Sequence, residues 1–416
     1  MVDKTLSPDK WWKVAKSICQ FKNRTTTASL IKVNNNIMTH PFDKLNVLNE
    51  YFTSISTLDN EPEHPDLPPL SPCELSDIVI IEQDVIDQFQ ILKRNKPPGP
   101  DKLAPKFIKA IFPSLVIPIS IIFNKTIQLG QVPSDWKSAN VTAIYKGKGD
   151  SCDPSNYRPI SVTNCFGKIL EKIIFKSLYN YVTRNRILSD HQSGFRTKDS
   201  TINKLLIIYN TIIKNLDLGK DVRFIFCDIY KAFDRVWHSG LIFKLRKYGI
   251  CGNILKWIES FLYDRKQRVN IDGYFSRWKT VNVGVPQGST LGPFLFLLFI
   301  NDIENEVLNS IQLFADDTSL YCVVEDQTST AESLNEDLAC IHQWSSDWGI
   351  TFNATKTKSM LFSRNKMANL PPLFFNGTML EKSKSQSILL SLLTQMVNGI
   401  IILMKYILKL VEELTF

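Results

Sequence analysis

The sequence predicts an α+β fold, in which an antiparallel sheet is backed by helices. Residues 222–229 form a nearly continuous apolar run whose length and Phe and Ile content are typical of a buried strand. Two further apolar runs, residues 311–314 and 318–324, flank a tight acidic turn and predict a hairpin. Apolar residues recur at helical spacing elsewhere, as along residues 334–348.

The chain's length and composition indicate a globular protein with an anionic partner. Its 416 residues allow two or three domains, and 44% hydrophobic with 22% charged residues excludes a disordered chain. The net charge of +8 favours nucleic acid as the partner. The eight cysteines form no C-x-x-C and do not pair with His at zinc spacings. Free thiols and the absence of a secretory h-region predict a nuclear or cytoplasmic protein that is not secreted.

The N-terminal part is predicted to contain a connecting region and a proline-rich linker. Residues 1–56 are interpreted as an N-terminal helical connecting region. Residues 57–75 contain five prolines, which cannot donate backbone hydrogen bonds, and therefore predict a linker or an extended strap. The next predicted elements are helices at residues 82–93 and 106–129, the second broken at Pro113 and Pro118, and a strand at residues 136–145.

A basic loop follows that strand. Residues 146–150 contain two glycines, which let a backbone approach a ligand closely, and Lys146 and Arg158 are candidates to bind phosphate. A solvated basic hairpin is the alternative, and the loop alone favours it.

Three aspartates form the strongest candidate site. Asp228 ends a predicted strand, and Asp316 and Asp317 stand at the hairpin tip. Two carboxylates ~4 Å apart repel by about 4 kcal/mol at an effective dielectric near 20, and exposure to water at the turn is the ordinary remedy. If the strand and the hairpin pair in one sheet, all three carboxylates meet at one edge, where Mg²⁺ is the natural counter-ion. Two such ions would activate a primer 3′ hydroxyl and stabilise leaving pyrophosphate, which is polymerase chemistry.

Seven motifs in order resemble the reverse transcriptases of non-LTR (LINE-type, jockey-like) retrotransposons. The resemblance covers roughly residues 11–381, and it departs from the family where Lys102 replaces the usual Gly. The motifs lie at residues 95–101, 136–161, 192–196, 226–234, 284–289, 314–317 and 353–358.

The resemblance implies roles for the acids. Asp228 and Asp316 would hold two Mg²⁺ ions, with Mn²⁺ as a possible substitute, and Asp317 would assist. Lys356 would act as the acid that protonates pyrophosphate, although Lys358 lies close by.

The resemblance also implies roles in binding nucleotide and template. Lys146 and Arg158 would neutralise the incoming triphosphate. Phe233 would be the gate that clashes with a ribose 2′ hydroxyl, and Gln287 would pack near the templating base. Template contacts are implied for three residues of one loop: Gln192, Gly194 and Arg196.

The implied architecture is a right-hand polymerase with helical fingers and an antiparallel palm sheet within residues 76–385. Its function would be RNA-directed DNA synthesis from dNTPs on an RNA template and a DNA primer. No endonuclease domain is recognisable, and we therefore expect target nicking by an endonuclease supplied elsewhere. An intact thumb is not recognisable either.

The apolar tail at residues 386–416 departs from the family pattern, and we expect it to be a frameshifted thumb remnant of a decayed gene copy. Three alternatives stay open. The chain would be an inactive nucleic-acid-binding relic, a protein anchored in a membrane through residues 388–410, or an intron-type or telomerase-type reverse transcriptase. No stable membrane partner is expected.

Overall fold

A computed structural model describes most of the chain. The described residues are 31–33, 36–58, 62–196, 201–364 and 370–382. The tail at residues 386–416, with the interpretations offered for it, lies outside them, as do residues 1–30 of the predicted N-terminal region.

Some helix ends have a residue that satisfies or accommodates the free backbone groups there. The side chain of Asn164 accepts hydrogen bonds from the first turn of one helix, and that of Asp326 does so in another. Gly130 ends a third helix in the left-handed conformation, with φ 61°. The helices are α1 Pro41–Ser54, α2 Glu82–Gln90, α3 Pro105–Leu129, α4 Cys165–Arg184, α5 Thr201–Asp217, α6 His238–Lys247, α7 Gly252–Leu262, α8 Leu291–Ile300 and α9 Gln327–Asp347.

In the part of the chain that the structure describes, the strands form two larger sheets and two short antiparallel pairs. They are β1 Ile31–Val33, β2 Asn36–Met38, β3 Ser138–Tyr145, β4 Tyr157–Thr163, β5 Asp221–Asp228, β6 Arg265–Ile271, β7 Tyr274–Phe275, β8 Lys279–Val281, β9 Ser310–Phe314, β10 Asp317–Val324, β11 Lys358–Phe362, β12 Phe374–Phe375, β13 Thr378–Met379 and β14 Glu381–Lys382.

Sheet A has the strand order β14-β11-β5-β10-β9. Strand β5 pairs antiparallel with both β10 and β11, β9 and β10 form the predicted hairpin, and β14 joins in parallel. Side chains alternate across β5: Phe224 packs with Ile212 of α5, whereas Ile225 and Cys227 face the main core. Both faces are therefore buried, and the predicted α+β class with an antiparallel sheet backed by helices is confirmed.

Sheet B has the order β4-β3-β6-β7, with β8 also paired to β6. Helix α1 buries Leu45, Leu48 and Phe52 against Val141 and Val269 of this sheet. Residues 41–54, expected only to connect, thus share a hydrophobic cluster with sheet B.

Helix α3 is continuous, although breaks were predicted at Pro113 and Pro118. Its two halves bury Ile108 and Phe123 in the same core, and this packing outweighs the backbone bonds that the prolines remove. Within the described ranges, α3 is the one helix that is long and apolar enough to cross a membrane. That is weak evidence, because core helices pass the same test.

The proline-rich segment lies extended along α6, as a strap would. The His64 ring stacks on Trp237 and Phe243, with centroids 4.9 Å and 4.7 Å away. The Leu70 amide donates a hydrogen bond to the carbonyl of Lys247 at the end of α6, and the Leu75 amide donates to that of Gly249 just after it. The seven cysteines that the structure describes are free thiols.

A buried ion pair joins α6 to the loop after α8. Lys244 Nζ donates to Asp302 Oδ1 at 2.5 Å and to the Phe299 carbonyl at 2.7 Å, and its ammonium lies 3.6 Å from the Trp348 ring centroid. Burial lowers the pKa of Lys244 to about 8, against the charge of Asp302, which raises it. The pair therefore fixes how α6 and α8 pack beneath sheet A.

Lys244→Met should destabilise the fold by about 3–5 kcal/mol, because it strands the buried Asp302 carboxylate. Urea unfolding measures the loss. The double variant Lys244→Met/Asp302→Leu is the control, and it should lose less because no charge is stranded. Equal losses in the single and double variants would show that the charge pairing is irrelevant to stability.

Candidate active site

Strand pairing brings the predicted acids together. In the β5–β10 ladder Asp228 stands directly opposite Asp317, and Asp316 is the preceding residue in the β9–β10 turn. Directly opposed Cα atoms in antiparallel strands lie about 4.5–5.5 Å apart. Burial, and then the nearby charge of Asp228, raise the pKa of Asp316, while Arg158 lowers it. The expected convergence of strand end and hairpin is therefore present.

The turn that carries these acids has an unusual backbone. Ala315 has φ 55°, a left-handed conformation that costs a non-glycine residue free energy. Within the described ranges, no three His, Cys, Asp or Glu side chains are gathered as a metal-holding set. Mg²⁺ nevertheless needs only one or two carboxylates, and takes its other ligands from substrate phosphates and water. Asp228 and Asp316, whose charges repel, fit that requirement.

Lys356 approaches the acids from the chain after α9. Its Nζ lies 3.3 Å from Asp228 Oδ2, and both side chains are substantially exposed. The Asn353 amide donates to the Asp228 carbonyl at 2.7 Å, and the Lys356 amide donates to the Asn353 carbonyl at 3.1 Å. Two backbone hydrogen bonds thus connect Lys356 to the end of β5.

A cluster of cations stands beside the acids. Burial lowers the pKa of Lys146 to about 8, and the charges of Lys231, Arg158 and Lys356 lower it further. Lys146 Nζ donates to the Ser155 carbonyl at 2.7 Å. Four neighbouring cations, three of which lower the pKa of Lys146, form a site suited to a polyanion.

Lys231 is a site residue that the sequence argument missed. It has φ 51°, and its ammonium lies 5.3 Å from the centroid of the Tyr51 ring, which α1 supplies. The signal was available, because Lys231 lies three residues after Asp228 within the 226–234 motif. Only the fold, however, shows that it faces Lys146.

The proposed gate and base-contact residues are close neighbours. The Phe233 ring packs on Phe296, with centroids 4.8 Å apart. Gln287 Nε2 donates to Asp234 Oδ1 at 2.8 Å, and burial raises the pKa of Asp234 to about 6. The Val285 amide donates to the Phe233 carbonyl at 2.7 Å, which ties the two segments together. Asp234 was also missed by the sequence argument.

The three predicted template residues lie under the acidic hairpin. Gln192 is buried and Oε1 of its side chain accepts hydrogen bonds from the amides of Gly194 and Ala315. Arg196 donates to the carbonyls of Ser189 and Gln192. Gln192 and Gly194 therefore contact the turn of the hairpin, whereas Arg196 contacts the loop that carries them. Contact of all three with template stays a prediction.

Comparison with known proteins gives the family. Residues 144–389, more than half of the chain, match the family model described as Reverse transcriptase (RNA-dependent DNA polymerase). The RNA-directed DNA polymerase from mobile element jockey of Drosophila melanogaster is 30% identical over 72% of this chain and 33% of its own length. The corresponding jockey protein of Drosophila funebris is 31% identical over 72% of this chain and 33% of its own.

A third relative is the probable RNA-directed DNA polymerase from transposon BS of Drosophila melanogaster, 29% identical over 72% of this chain and 34% of its own length. The chain spans about a third of the length of these curated relatives. The matched region contains both carboxylate-bearing strands and the cation cluster. A reverse transcriptase domain implies a right-hand polymerase fold, which agrees with the mixed helices and sheets of this chain. The chain therefore belongs to the reverse transcriptase family, and within it to the LINE-type (non-LTR) retrotransposon branch.

Proposed function

We propose that this chain copies RNA into DNA by two-metal nucleotidyl transfer, adding dNTPs to a primer 3′ hydroxyl. The observation that carries the proposal is the pairing of β5 with β10, which sets Asp228 opposite Asp317 and beside Asp316. A pair of carboxylates next to a cluster of cations matches a substrate that brings both metal ions and a triphosphate.

Asp228 and Asp316 would hold two Mg²⁺ ions, or Mn²⁺, with Asp317 assisting. When bound, such ions lower the pKa of an attacking hydroxyl and neutralise a leaving pyrophosphate. Lys356, now paired with Asp228, would exchange that partner for phosphate and donate its proton to the departing pyrophosphate. Its substantial exposure leaves it free to move between the two partners.

The cations would bind the incoming nucleotide. Lys146, Arg158 and Lys231 would neutralise the triphosphate, because their mutual repulsion falls when an anion lies between them. Phe233 would contact the sugar at C2′ and reject a ribose hydroxyl. Gln287, oriented by its hydrogen bond to Asp234, would pack near the templating base.

One face of sheet B is a suitable surface to bind the template strand. Arg158 shares this face with Arg268, because Ile144 pairs with Arg158 and Asn140 pairs with Arg268 along β3. The guanidinium of Arg268 lies 4.0 Å from the centroid of the Phe275 ring and 4.5 Å from that of Trp278. The positions that share this face in β3, β4 and β6 contain no Asp or Glu. Cations and a part-exposed aromatic ring suit a single-stranded template overhang.

This arrangement suggests which parts of the chain would form the palm and the fingers. Sheet A would be the palm, and the fingers would comprise sheet B with helices α2 to α4. The fingers were expected to be helical, and in this assignment they contain strands as well. The domain boundaries at residues 56, 75 and 385, a nuclear or cytoplasmic location, and an endonuclease supplied elsewhere stay predictions. An inactive relic is not favoured, because Asp228, Asp316 and Asp317 are all present.

Asp316→Asn should lower Mg²⁺-dependent primer extension on an RNA template by roughly a hundredfold or more, because it removes a charge that the reaction needs. The same variant should raise the melting temperature of the metal-free protein at neutral pH. The raised pKa of Asp316 means that its ionised form opposes folding, so this gain should disappear as pH falls through that pKa.

Asp272→Asn is the matched control, since Asp272 is an exposed residue in the turn between β6 and β7. It should change neither activity nor melting behaviour. Primer extension by Asp316→Asn at the rate of the unchanged chain would refute the proposed function.

The kcat/KM for dNTP should fall as pH rises through about 8, because Lys146 then loses its proton in the free protein. In Lys146→Arg the fall should move to higher pH, since a guanidinium stays charged there. Steady-state kinetics from about pH 6.5 to about pH 9.5, on both sides of the pKa of Lys146, measures the shift. Lys148→Arg, an exposed neighbour, should leave the profile unchanged; identical profiles for both variants would remove Lys146 from the nucleotide site.

Trp278→Ala should weaken binding of a primer–template that carries a 5′ template overhang of about eight nucleotides, but not of the blunt duplex. Loss of one stacking contact predicts a fall in affinity of roughly 5- to 100-fold. Fluorescence anisotropy with both duplexes measures it, and Tyr274→Ala, another exposed aromatic, is the control. Equal weakening for blunt and overhanging duplexes would place the template elsewhere.

A further inference from the structure

The Gln192 side chain is 1% exposed and lies beneath the acidic hairpin. Its Oε1 accepts one hydrogen bond from the Ala315 amide at 3.0 Å and another from the Gly194 amide at 2.7 Å. Ala315 is the left-handed residue of the turn, directly before Asp316. One buried oxygen atom therefore holds the strained residue on which the direction of Asp316 depends.

The segment around Gln192 is itself fixed on both sides. The Ser193 amide donates to the Leu313 carbonyl, and the Leu313 amide donates to the His191 carbonyl, each at 2.9 Å. Upstream, the Ser189 amide donates to Asn301 Oδ1 at 2.9 Å, which joins the segment to the end of α8. Hydrogen bonds therefore connect the loop under the hairpin to α8, which is buried.

Gly194 shows how close this support lies. A methyl group added at Gly194 would overlap the Ala315 backbone nitrogen. The loop and the turn therefore meet backbone to backbone, with no space between them for a nucleic acid strand.

We propose that Gln192 is a positioning residue, whose Oε1 locks the Ala315 turn and thereby aims the Asp316 carboxylate. The catalytic consequence rests on the proposed function, whereas the effect on the turn does not. A direct template contact by Gln192 would require its side chain to leave this buried position and give up both hydrogen bonds.

Two substitutions separate the roles. Gln192→Met keeps the length of the side chain and removes the acceptor. Gln192→Glu keeps the acceptor, and it loses no existing bond, because Gln192 Nε2 has no hydrogen-bond partner among the described residues. Gln312→Met is the matched control, since Gln312 is also buried and lies on β9 of the same hairpin.

Hydrogen–deuterium exchange at the Ala315 amide in the metal-free protein is the first readout. We expect at least about tenfold faster exchange in Gln192→Met, because a hydrogen bond of ordinary strength is lost, and wild-type-like exchange in Gln192→Glu and Gln312→Met. The second readout is kinetic. Gln192→Met should lower kcat about tenfold or more with an unchanged Kd for primer–template, and Gln192→Glu should restore kcat at least in part.

Unchanged exchange at Ala315 in Gln192→Met would overturn the proposal. A weaker Kd for primer–template with normal kcat would also overturn it, in favour of template contact. If the unchanged chain extends no primer, the proposed function fails, and the exchange measurement still decides whether Gln192 holds the turn. Thermal unfolding of each variant identifies any that has lost its fold, and Gln192→Glu then supplies the comparison.

Discussion

Three acidic side chains meet at one end of strands β5 and β10 because the register of these two strands places them there. Asp228 and Asp317 are a directly opposed pair, and Asp316 is confined to the adjoining turn. A slip of one residue would relieve the repulsion, but it would also turn every side chain of β5 to the wrong face. Burial of Phe224 on one side and Ile225 on the other forbids that slip. Hydrophobic packing on two faces thus holds an arrangement that electrostatics opposes.

Backbone hydrogen bonds carry this constraint to distant segments of the chain. The amide of Tyr230 donates to the Thr351 carbonyl at 2.8 Å, and the amide of Ser161 donates to the Gln287 carbonyl at 2.7 Å. Main-chain bonds of this kind do not depend on side-chain identity, so the frame of the site is set by topology. The side chains placed on that frame supply the chemistry: acids at the strand ends, and cations opposite them.

The sequence predicted the parts of this arrangement that periodicity and motif spacing encode. The apolar run that became β5 and the acidic hairpin were evident, because strands and tight turns leave local patterns. Sheet B was only partly foreseen, since the parallel pairing of β3 with β6 joins segments more than a hundred residues apart and leaves no local pattern. The continuity of α3 through two prolines was missed for the same reason, because distant packing overrode a local rule.

The site shows the same limit. Residue types predicted Asp228 and Lys146, and the family resemblance implied Lys356. Lys231 and Asp234 lie in the same motif as Asp228, but only the fold shows them beside Lys146 and Gln287. Gln192 is the clearest case. Its motif suggested contact with template, and only the folded structure shows that its side-chain oxygen already accepts a hydrogen bond from the Ala315 amide.

The convergence of Asp228 and Asp316 on shared cations is the claim on which the rest depends. Electron paramagnetic resonance of Mn²⁺ titrated into the protein with primer–template and dNTP tests it most directly, using Asp228→Asn, Asp316→Asn and the double variant. The account predicts that either single variant loses most of the tightly bound Mn²⁺ and that the double variant is hardly worse, because both carboxylates hold the same pair of ions. Independent, additive losses, or undiminished binding in either single variant, would contradict it.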